Sequence, residues 1–150
     1  MRALASGKRA RPMPAVDGAP AARIDVMVAA YNEVTVIGRT LDSLLASRSV
    51  DVRIIVVDDG STDGTHQAVA AGFGGDPRVM LRRKINGGKA SALNMALELV
   101  TAEIVVGVDA DTQLSPDALS KLAAWFVDPR VGAVAGNVKV GNRRGVVTRL

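Results

Sequence analysis

The chain has 150 residues, which suits one domain of ordinary size with a buried core. It contains no cysteine, so disulfide bonds and cysteine-ligated zinc are excluded, and nothing indicates an oxidising compartment. Hydrophobic residues make up 48% of the chain but aromatic residues only 3%, so the core must consist mainly of Val, Leu, Ile and Ala.

The net charge of +4 comes from residues 1–23, which carry five basic side chains against Asp17 alone. Pro12, Pro14 and Pro20 predict a weakly ordered tail, which is either solvated or in loose contact with an anionic membrane surface. The scarcity of aromatic residues weakens a nucleic-acid interpretation. No apolar run approaches the roughly 18 residues of a membrane span, and the basic N-terminus lacks the apolar segment of a signal peptide.

The first half of the chain alternates between two periodicities. Apolar runs predict strands over residues 24–30 and 52–57. The first strand precedes an amphipathic helix that extends to about Ser47, and Ser61 or Thr62 can cap a second helix that extends to about Ala71. The helical spacing in the first of these helices is carried by Val34, Ile37, Leu41, Leu44 and Leu45.

The second half repeats this alternation. Strands are predicted over residues 78–83 and 104–108, and a fifth strand, interrupted by glycine, over residues 131–138. Helices are predicted between them, one with Ala90, Leu93, Leu97 and Val100 on its buried face, and one that starts at the Ser115-Pro116-Asp117 segment. The pattern predicts an α/β fold with a mainly parallel sheet covered by helices on both faces, without a linker after residue 23.

Polar clusters follow three of the predicted strands. Tyr31-Asn32-Glu33 follows the first, Asp58-Asp59-Gly60-Ser61 the second and Asp109-Ala110-Asp111 the fourth. Parallel strands bring their carboxyl ends to one edge of the sheet, where ligands of open α/β sheets bind. We therefore expect these clusters to converge, and Lys89 at the start of a helix can join them.

Each of these residues suits one part of a nucleotide ligand. Tyr31 offers a flat face to a base, and Asp58 or Asp59 can accept a hydrogen bond from a base or ribose. Lys89 and its helix N-terminus favour phosphate, whereas Asp109 and Asp111 can hold a divalent cation through oxygen.

Ordinary structural roles remain the alternative for each residue. The acidic residues can form turns or helix caps, Tyr31 can be a partly buried ring and Lys89 a surface lysine. His66 is expected to be structural or exposed, because a metal-binding or catalytic histidine needs an orienting partner. The glycines fit neither a dinucleotide fingerprint nor a phosphate loop.

Four motifs in order carry a family resemblance. They are residues 28–33 (VAAYNE), 57–63 (VDDGSTD), 86–94 (NGGKASALN) and 108–111 (VDAD). Over about residues 24–145 the chain resembles family 2 glycosyltransferases of the GT-A fold, and in particular the processive bacterial synthases of poly-N-acetylglucosamine, cellulose, chitin and hyaluronan.

The resemblance implies a UDP-sugar donor, a Mg²⁺ or Mn²⁺ ion and inversion at the anomeric carbon. It implies that Ala30, Tyr31, Glu33 and Asp58 or Asp59 surround the uridine, that Lys89 lies near the diphosphate, and that Asp109 and Asp111 bind the metal, with Asp109 also near the nucleotide. It further implies a growing polysaccharide acceptor and a location at the cytoplasmic face of the bacterial inner membrane for the whole protein.

The chain departs from the family pattern after Asp128. No Asp or Glu follows that residue, and the one tryptophan, Trp125, lies in a predicted helix rather than in a Gln-x-x-Arg-Trp motif. The family's catalytic base and membrane helices are therefore expected beyond Leu150, and residues 24–150 are interpreted as a truncated half-domain that is inactive alone. A non-catalytic nucleotide-binding module and a receiver-like phosphoacceptor domain are the alternatives, the latter contradicted by the order of its acidic residues.

Overall fold

The computed structural model describes residues 21–136, which form a four-stranded parallel sheet with helices on both faces. The α/β class and the first four strands are thereby confirmed. In chain order the elements are β1 (Ala22–Ala30), α1 (Ile37–Leu45), β2 (Val50–Asp58), α2 (Thr65–Phe73), β3 (Val79–Arg83), α3 (Lys89–Glu98), β4 (Ile104–Asp109), α4 (Ala118–Ala123) and a 3-10 helix (Ala124–Val127).

Strand β1 lies inside the sheet, whose order is β3-β2-β1-β4. Its register places Ala30 beside Asp58 of β2 and Ala29 beside Asp109 of β4. The chain winds outward from β1 to β3 and then crosses to the other side of β1 to form β4. In open α/β sheets such a change of direction opens a crevice at the carboxyl ends of the strands.

The two faces of the sheet carry separate hydrophobic clusters. One face packs against α1, α2 and α4 through residues such as Leu41, Val69 and Leu119. The other face packs Ile55 and Val57 against α3. Because side chains alternate along a strand, consecutive residues of β2 contribute to opposite clusters.

Helix α3 packs on a different face from the one predicted. Ala92 and Ala96 are its buried residues, whereas Ala90 is exposed and Leu97 is 55% exposed. The small alanine side chains allow the helix backbone to lie close against β1 and β2. The prediction was therefore wrong for Ala90 and Leu97, whereas Val100 packs against the buried cluster on this face.

Three other expectations need correction. Neither Ser61 nor Thr62 caps α2, which begins at Thr65 after Gly64. Residues 131–136 form no strand, consistent with the two glycines in this largely exposed segment, and the last two residues of the predicted fifth strand lie outside the described range. Strand β1 begins two residues inside the predicted tail, and the rest of that tail also lies outside the described range.

An ion pair between a buried aspartate and a partly buried arginine anchors the amino-terminal edge of the sheet. Asp25 on β1 accepts two hydrogen bonds from Arg53 of β2, at 2.9 Å from Nε and 2.6 Å from Nη2. The backbone N–H groups of Thr101 and Ala102 donate to the same carboxylate at 2.6 and 3.0 Å. These contacts join the centre of the sheet to the segment that enters β4.

The surroundings of Asp25 lower its pKa. Burial by itself raises the pKa, but the hydrogen bonds from Arg53, Thr101 and Ala102 outweigh it and bring the pKa to about 2. The carboxylate therefore stays ionised in the folded protein to a lower pH than in the unfolded chain.

Among residues 21–136, no helix is both long and apolar enough to cross a bilayer.

Replacement of Asp25 by Asn should lower the free energy of unfolding by about 2 kcal/mol at pH 7, because Arg53 and the two amides lose their charged partner. Since the pKa is depressed, the contribution of Asp25 is complete above about pH 4 and disappears as the pH falls towards 2. Chemical denaturation at several pH values should therefore show that the difference from the wild type narrows below pH 4.

Asp51→Asn is the matched control, because Asp51 forms an exposed ion pair with Arg23 at 3.6 Å. Its effect should stay below about 1 kcal/mol at every pH. Equal effects of the two variants at pH 7 would contradict a special role for the buried pair.

Candidate functional site

A cleft of about 490 Å³ lies at the carboxyl edge of the sheet, where the ends of β1, β2 and β4 meet. The predicted residues that line it are Ala30, Tyr31, Glu33, Asp59, Lys89, Asp109 and Asp111. Asn86 and Gly88, which were not predicted, also line it. The structure therefore brings together all the candidate residues except Asp58.

The acidic turn (residues 109–112) forms one wall of the cleft. Its backbone closes through a hydrogen bond from the N–H of Thr112 to the carbonyl of Asp109 at 3.0 Å. The Nζ of Lys89 donates to Asp109 Oδ1 at 2.5 Å, although both side chains are more than 60% exposed. Lys89 thus supplies a positive charge beside the first acid, and Asp111 is exposed without an ion pair among the described residues.

The donor set of the acidic turn suits a hard divalent cation. Two exposed carboxylates can supply oxygen ligands, which Mg²⁺ and Mn²⁺ accept. Within residues 21–136 there is no group of three or more His, Cys, Asp or Glu side chains placed to bind a metal. Asp109 and Asp111 fit a metal that takes its remaining ligands from a phosphate and water.

The segment after β1 is held by the loop after β2. Asn32 has a left-handed backbone, with φ of 56°, which asparagine tolerates better than most residues. Its N–H donates to the hydroxyl of Ser61 at 3.0 Å, and its side-chain oxygen accepts from the N–H of Thr62 at 2.9 Å. These reciprocal bonds fix the residue between Tyr31 and Glu33.

A second pair of contacts fixes the backbone of Glu33. Its N–H donates to the hydroxyl of Thr65 at 2.9 Å, and that hydroxyl donates to Asp63 Oδ1 at 2.6 Å. Asp63 also accepts from the N–H of Val34 at 3.1 Å. The hydrogen bonds, with that from Thr65 foremost, lower the pKa of Asp63. Tyr31, which is 49% exposed, therefore extends from a rigid support.

Asp58 lies on the face of the sheet opposite to α3 and does not line the cleft. It is fully buried, accepts the N–H of Ser61 at 3.0 Å, and lies 3.1 Å from Arg83 Nε. His66 is half-buried, with Nδ1 3.7 Å from Asp58 Oδ2. No partner for His66 was evident from the sequence, and the structure places it beside this carboxylate.

Asp59 faces the cleft and organises the glycine loop (residues 84–88). Its Oδ1 accepts from Lys84 Nζ at 2.7 Å and from the N–H of Gly87 at 3.0 Å, and its Oδ2 accepts from the N–H of Gly88 at 2.7 Å. Burial alone raises the pKa of Asp59, but these hydrogen bonds outweigh it and lower the pKa. A carboxylate has about four acceptor positions, so one remains available.

Gly60 allows the glycine loop to approach β2. Its φ of 76° is in the left-handed region, and a Cβ built on it would lie 2.8 Å from the backbone nitrogen of Asn86. Only glycine avoids both the strain and the clash. Lys84, whose side chain is 15% exposed, was not predicted as a site residue. Its hydrogen bond to Asp59 spans 25 residues and leaves no local pattern in the sequence.

Comparison with known proteins identifies a family model and relatives that the chain matches. Residues 25–150 match the model of the Glycosyl transferase family 2. The chain is 31% identical over 128 residues to the poly-beta-1,6-N-acetyl-D-glucosamine synthase of Staphylococcus aureus and 30% identical to that of Staphylococcus epidermidis. The matches cover 85% of this chain but only 31% of the length of each synthase.

Solved structures show the same fold. A mannosyltransferase from Pyrobaculum calidifontis, in complex with GDP-Man and Mn²⁺, has a TM-score of 0.69 and 36% identity, over 80% of this chain and 38% of its own. Residues 1–349 of S. aureus TarS, in complex with UDP-GlcNAc, have a TM-score of 0.64 and 31% identity, over 71% of this chain and 31% of that one.

The match to the family model spans most of the chain and includes all four sequence motifs. The solved neighbours confirm the predicted GT-A fold. The receiver-like alternative is therefore excluded. The chain belongs to the glycosyl transferase family 2.

Proposed function

We propose that the cleft binds a UDP-sugar together with Mg²⁺ or Mn²⁺, as the donor site of an inverting polysaccharide synthase. The observation that carries this proposal is the convergence of the acidic turn, Lys89, Tyr31 and Asp59 on one cleft. Asp59 and Asp109 follow strands on either side of β1, so their backbones are separated by two strand spacings, roughly 10 Å. Such a separation suits a ligand with a base at one end and a diphosphate at the other.

The base would lie between Tyr31 and Asp59. The exposed ring of Tyr31 provides a stacking surface, and the remaining acceptor position of Asp59 suits the imide N–H of uracil. We assign this role to Asp59 rather than Asp58, because Asp58 is buried under the opposite cluster. Ala30 also lines the cleft, and Glu33, which lines it as well, would bind the ribose hydroxyls.

The diphosphate would lie beside the acidic turn. Lys89 and the N-terminus of the ten-residue helix α3 supply positive charge to the phosphates. Asp109 and Asp111 would hold the divalent cation, which neutralises the diphosphate and stabilises UDP as a leaving group. The mannosyltransferase in complex with GDP-Man and Mn²⁺ and TarS in complex with UDP-GlcNAc support a nucleotide-sugar donor.

Transfer also needs a general base that deprotonates the acceptor hydroxyl. The cleft carboxylates among residues 21–136 are Glu33, Asp59, Asp109 and Asp111, and all are assigned above to donor binding. We propose that the 150-residue chain binds the donor but transfers little or no sugar by itself. A polysaccharide acceptor, a cytoplasmic location and contact of the basic tail with a membrane are proposed for the whole protein.

Calorimetric titration of UDP into the chain should show binding that requires Mn²⁺ and is abolished by EDTA. Asp111→Ala should weaken it at least tenfold, about 1.4 kcal/mol, because one metal ligand is lost. Asp51→Ala, at the opposite edge of the sheet, is the control and should bind like the wild type. Titration of GDP under the same conditions tests whether the cleft prefers the uridine nucleotide.

The results separate the parts of the proposal. Absence of UDP binding by a chain shown to be folded by circular dichroism would overturn it. UDP binding that neither EDTA nor Asp111→Ala changes would contradict the role of the metal. Tighter binding of GDP than of UDP would change the proposed donor from a UDP-sugar to a GDP-sugar. Processive polymer synthesis by the isolated chain would contradict the predicted inactivity.

Lys89→Met should change the two affinities in opposite directions. Mn²⁺ alone should bind more tightly, since no ammonium group competes for Asp109, whereas UDP in the presence of Mn²⁺ should bind roughly tenfold more weakly because a phosphate contact is lost. Mn²⁺ binding can be followed by electron paramagnetic resonance and UDP binding by calorimetry. Lys121→Met, outside the cleft, is the control. A change of both affinities in the same direction would contradict competition between Lys89 and Mn²⁺ for Asp109.

A further inference from the structure

A buried hydroxyl contacts the backbone of the acidic turn from behind. Thr40 of α1 is fully buried, and its Oγ1 donates to the carbonyl oxygen of Ala110 at 2.7 Å. Ala110 is the residue between the two acids, and this carbonyl belongs to the peptide bond that joins it to Asp111. The contact therefore acts on one of the two peptide groups that lie between Asp109 and Asp111.

Helix α1 does not itself require a threonine at this position. A threonine hydroxyl inside a helix usually bonds to a carbonyl one turn earlier in the same helix. Thr40 instead donates across 70 residues of sequence to a different element. A purely apolar residue would fill the space between α1 and the sheet, so the hydroxyl is explained by its partner in the acidic turn.

A second hydroxyl of α1 supports the chain beyond the turn. Ser43 Oγ accepts from the N–H of Leu114 at 3.1 Å and donates to the carbonyl of Thr40 at 2.8 Å. The N–H of Arg48 donates to the carbonyl of Pro116 at 2.8 Å. Helix α1 thus holds the segment after β4 at two points, and Arg48, which follows the helix, holds it at a third. Thr40 is the point nearest the acids.

Loss of the Thr40 contact would loosen the backbone of the acidic turn. The carbonyl of Ala110, a residue that is 5% exposed, would lose a buried partner, which favours rotation of its peptide group. Rotation of that peptide moves Asp111 relative to Asp109. Two carboxylates that share a cation must be held in a defined geometry, so metal affinity depends on this support.

We propose that Thr40 is a positioning residue, whose hydroxyl fixes the Ala110–Asp111 peptide so that both carboxylates of the acidic turn can bind one divalent cation. The inference rests on the proposed metal site. It assigns to α1, which contributes no residue to the cleft wall, an indirect part in donor binding through the backbone of the acidic turn.

Thr40→Val removes the hydroxyl at nearly constant volume and tests this role. Mn²⁺ affinity, measured by electron paramagnetic resonance, should fall about tenfold, and the amide of Thr112 should exchange faster with deuterium in the metal-free protein. Thr40→Ser, which keeps a hydroxyl, should retain most of the affinity. Thr40→Ala serves the same purpose if the valine variant does not fold.

Ser47→Ala is the matched control, because Ser47 follows α1 and its buried hydroxyl has no hydrogen-bond partner among residues 21–136. Its Mn²⁺ affinity should equal that of the wild type. A mere loss of stability in Thr40→Val would lower the denaturation midpoint but leave Mn²⁺ affinity of the folded protein unchanged.

The outcomes distinguish failure of the positioning role of Thr40 from failure of the metal site itself. Wild-type chain that binds Mn²⁺ no better than Thr40→Val would overturn the positioning role while leaving the metal site intact. Wild-type chain that is folded and binds no Mn²⁺ would overturn the metal site and the inference with it. Faster exchange at Thr112 with unchanged affinity would also overturn the inference, because the support would then not reach the carboxylates.

Discussion

The parallel register of β1 with both of its neighbours is the constraint on which the cleft depends. It places Ala30 beside Asp58 and Ala29 beside Asp109, so the three chain segments that leave these strands start from one edge. The crossing from one side of β1 to the other separates the segments after β2 and β4 by two strand spacings. The cleft is the space that this separation leaves.

The residues that face the cleft and the residues that hold them in place form two distinct layers. Tyr31, Lys89, Asp109 and Asp111 are exposed, and their own contacts are few. Behind them, the buried hydroxyls of Ser61, Thr65 and Thr40 form hydrogen bonds that fix the backbone groups of Asn32, Glu33 and Ala110. Asp59 belongs to both layers, because it binds the glycine loop and lines the cleft. Rigid supports beneath exposed groups lower the cost of ordering them around a ligand.

The charges at the two edges of the sheet have opposite physical roles. At the amino-terminal edge, Asp25 is buried and fully paired, so its charge stabilises the fold. At the carboxyl edge, the acids of the turn are exposed and only Asp109 has an ionic partner among the described side chains. Carboxylates left accessible to solvent can exchange a lysine or water for a metal with little loss of fold stability.

The sequence by itself determined the first four strands, the helices that connect them and their order, because continuous β-branched runs and helical spacing follow from local periodicity. It also determined that polar clusters would meet, because parallel strands share one edge. Only the tertiary structure decided that Asp59 rather than Asp58 faces the cleft, since alternation along β2 sends neighbours to opposite faces. It alone also decided that α3 packs through alanines, and that Lys84 and Thr40 support the site. Contacts across 25 and 70 residues leave no local pattern in the sequence.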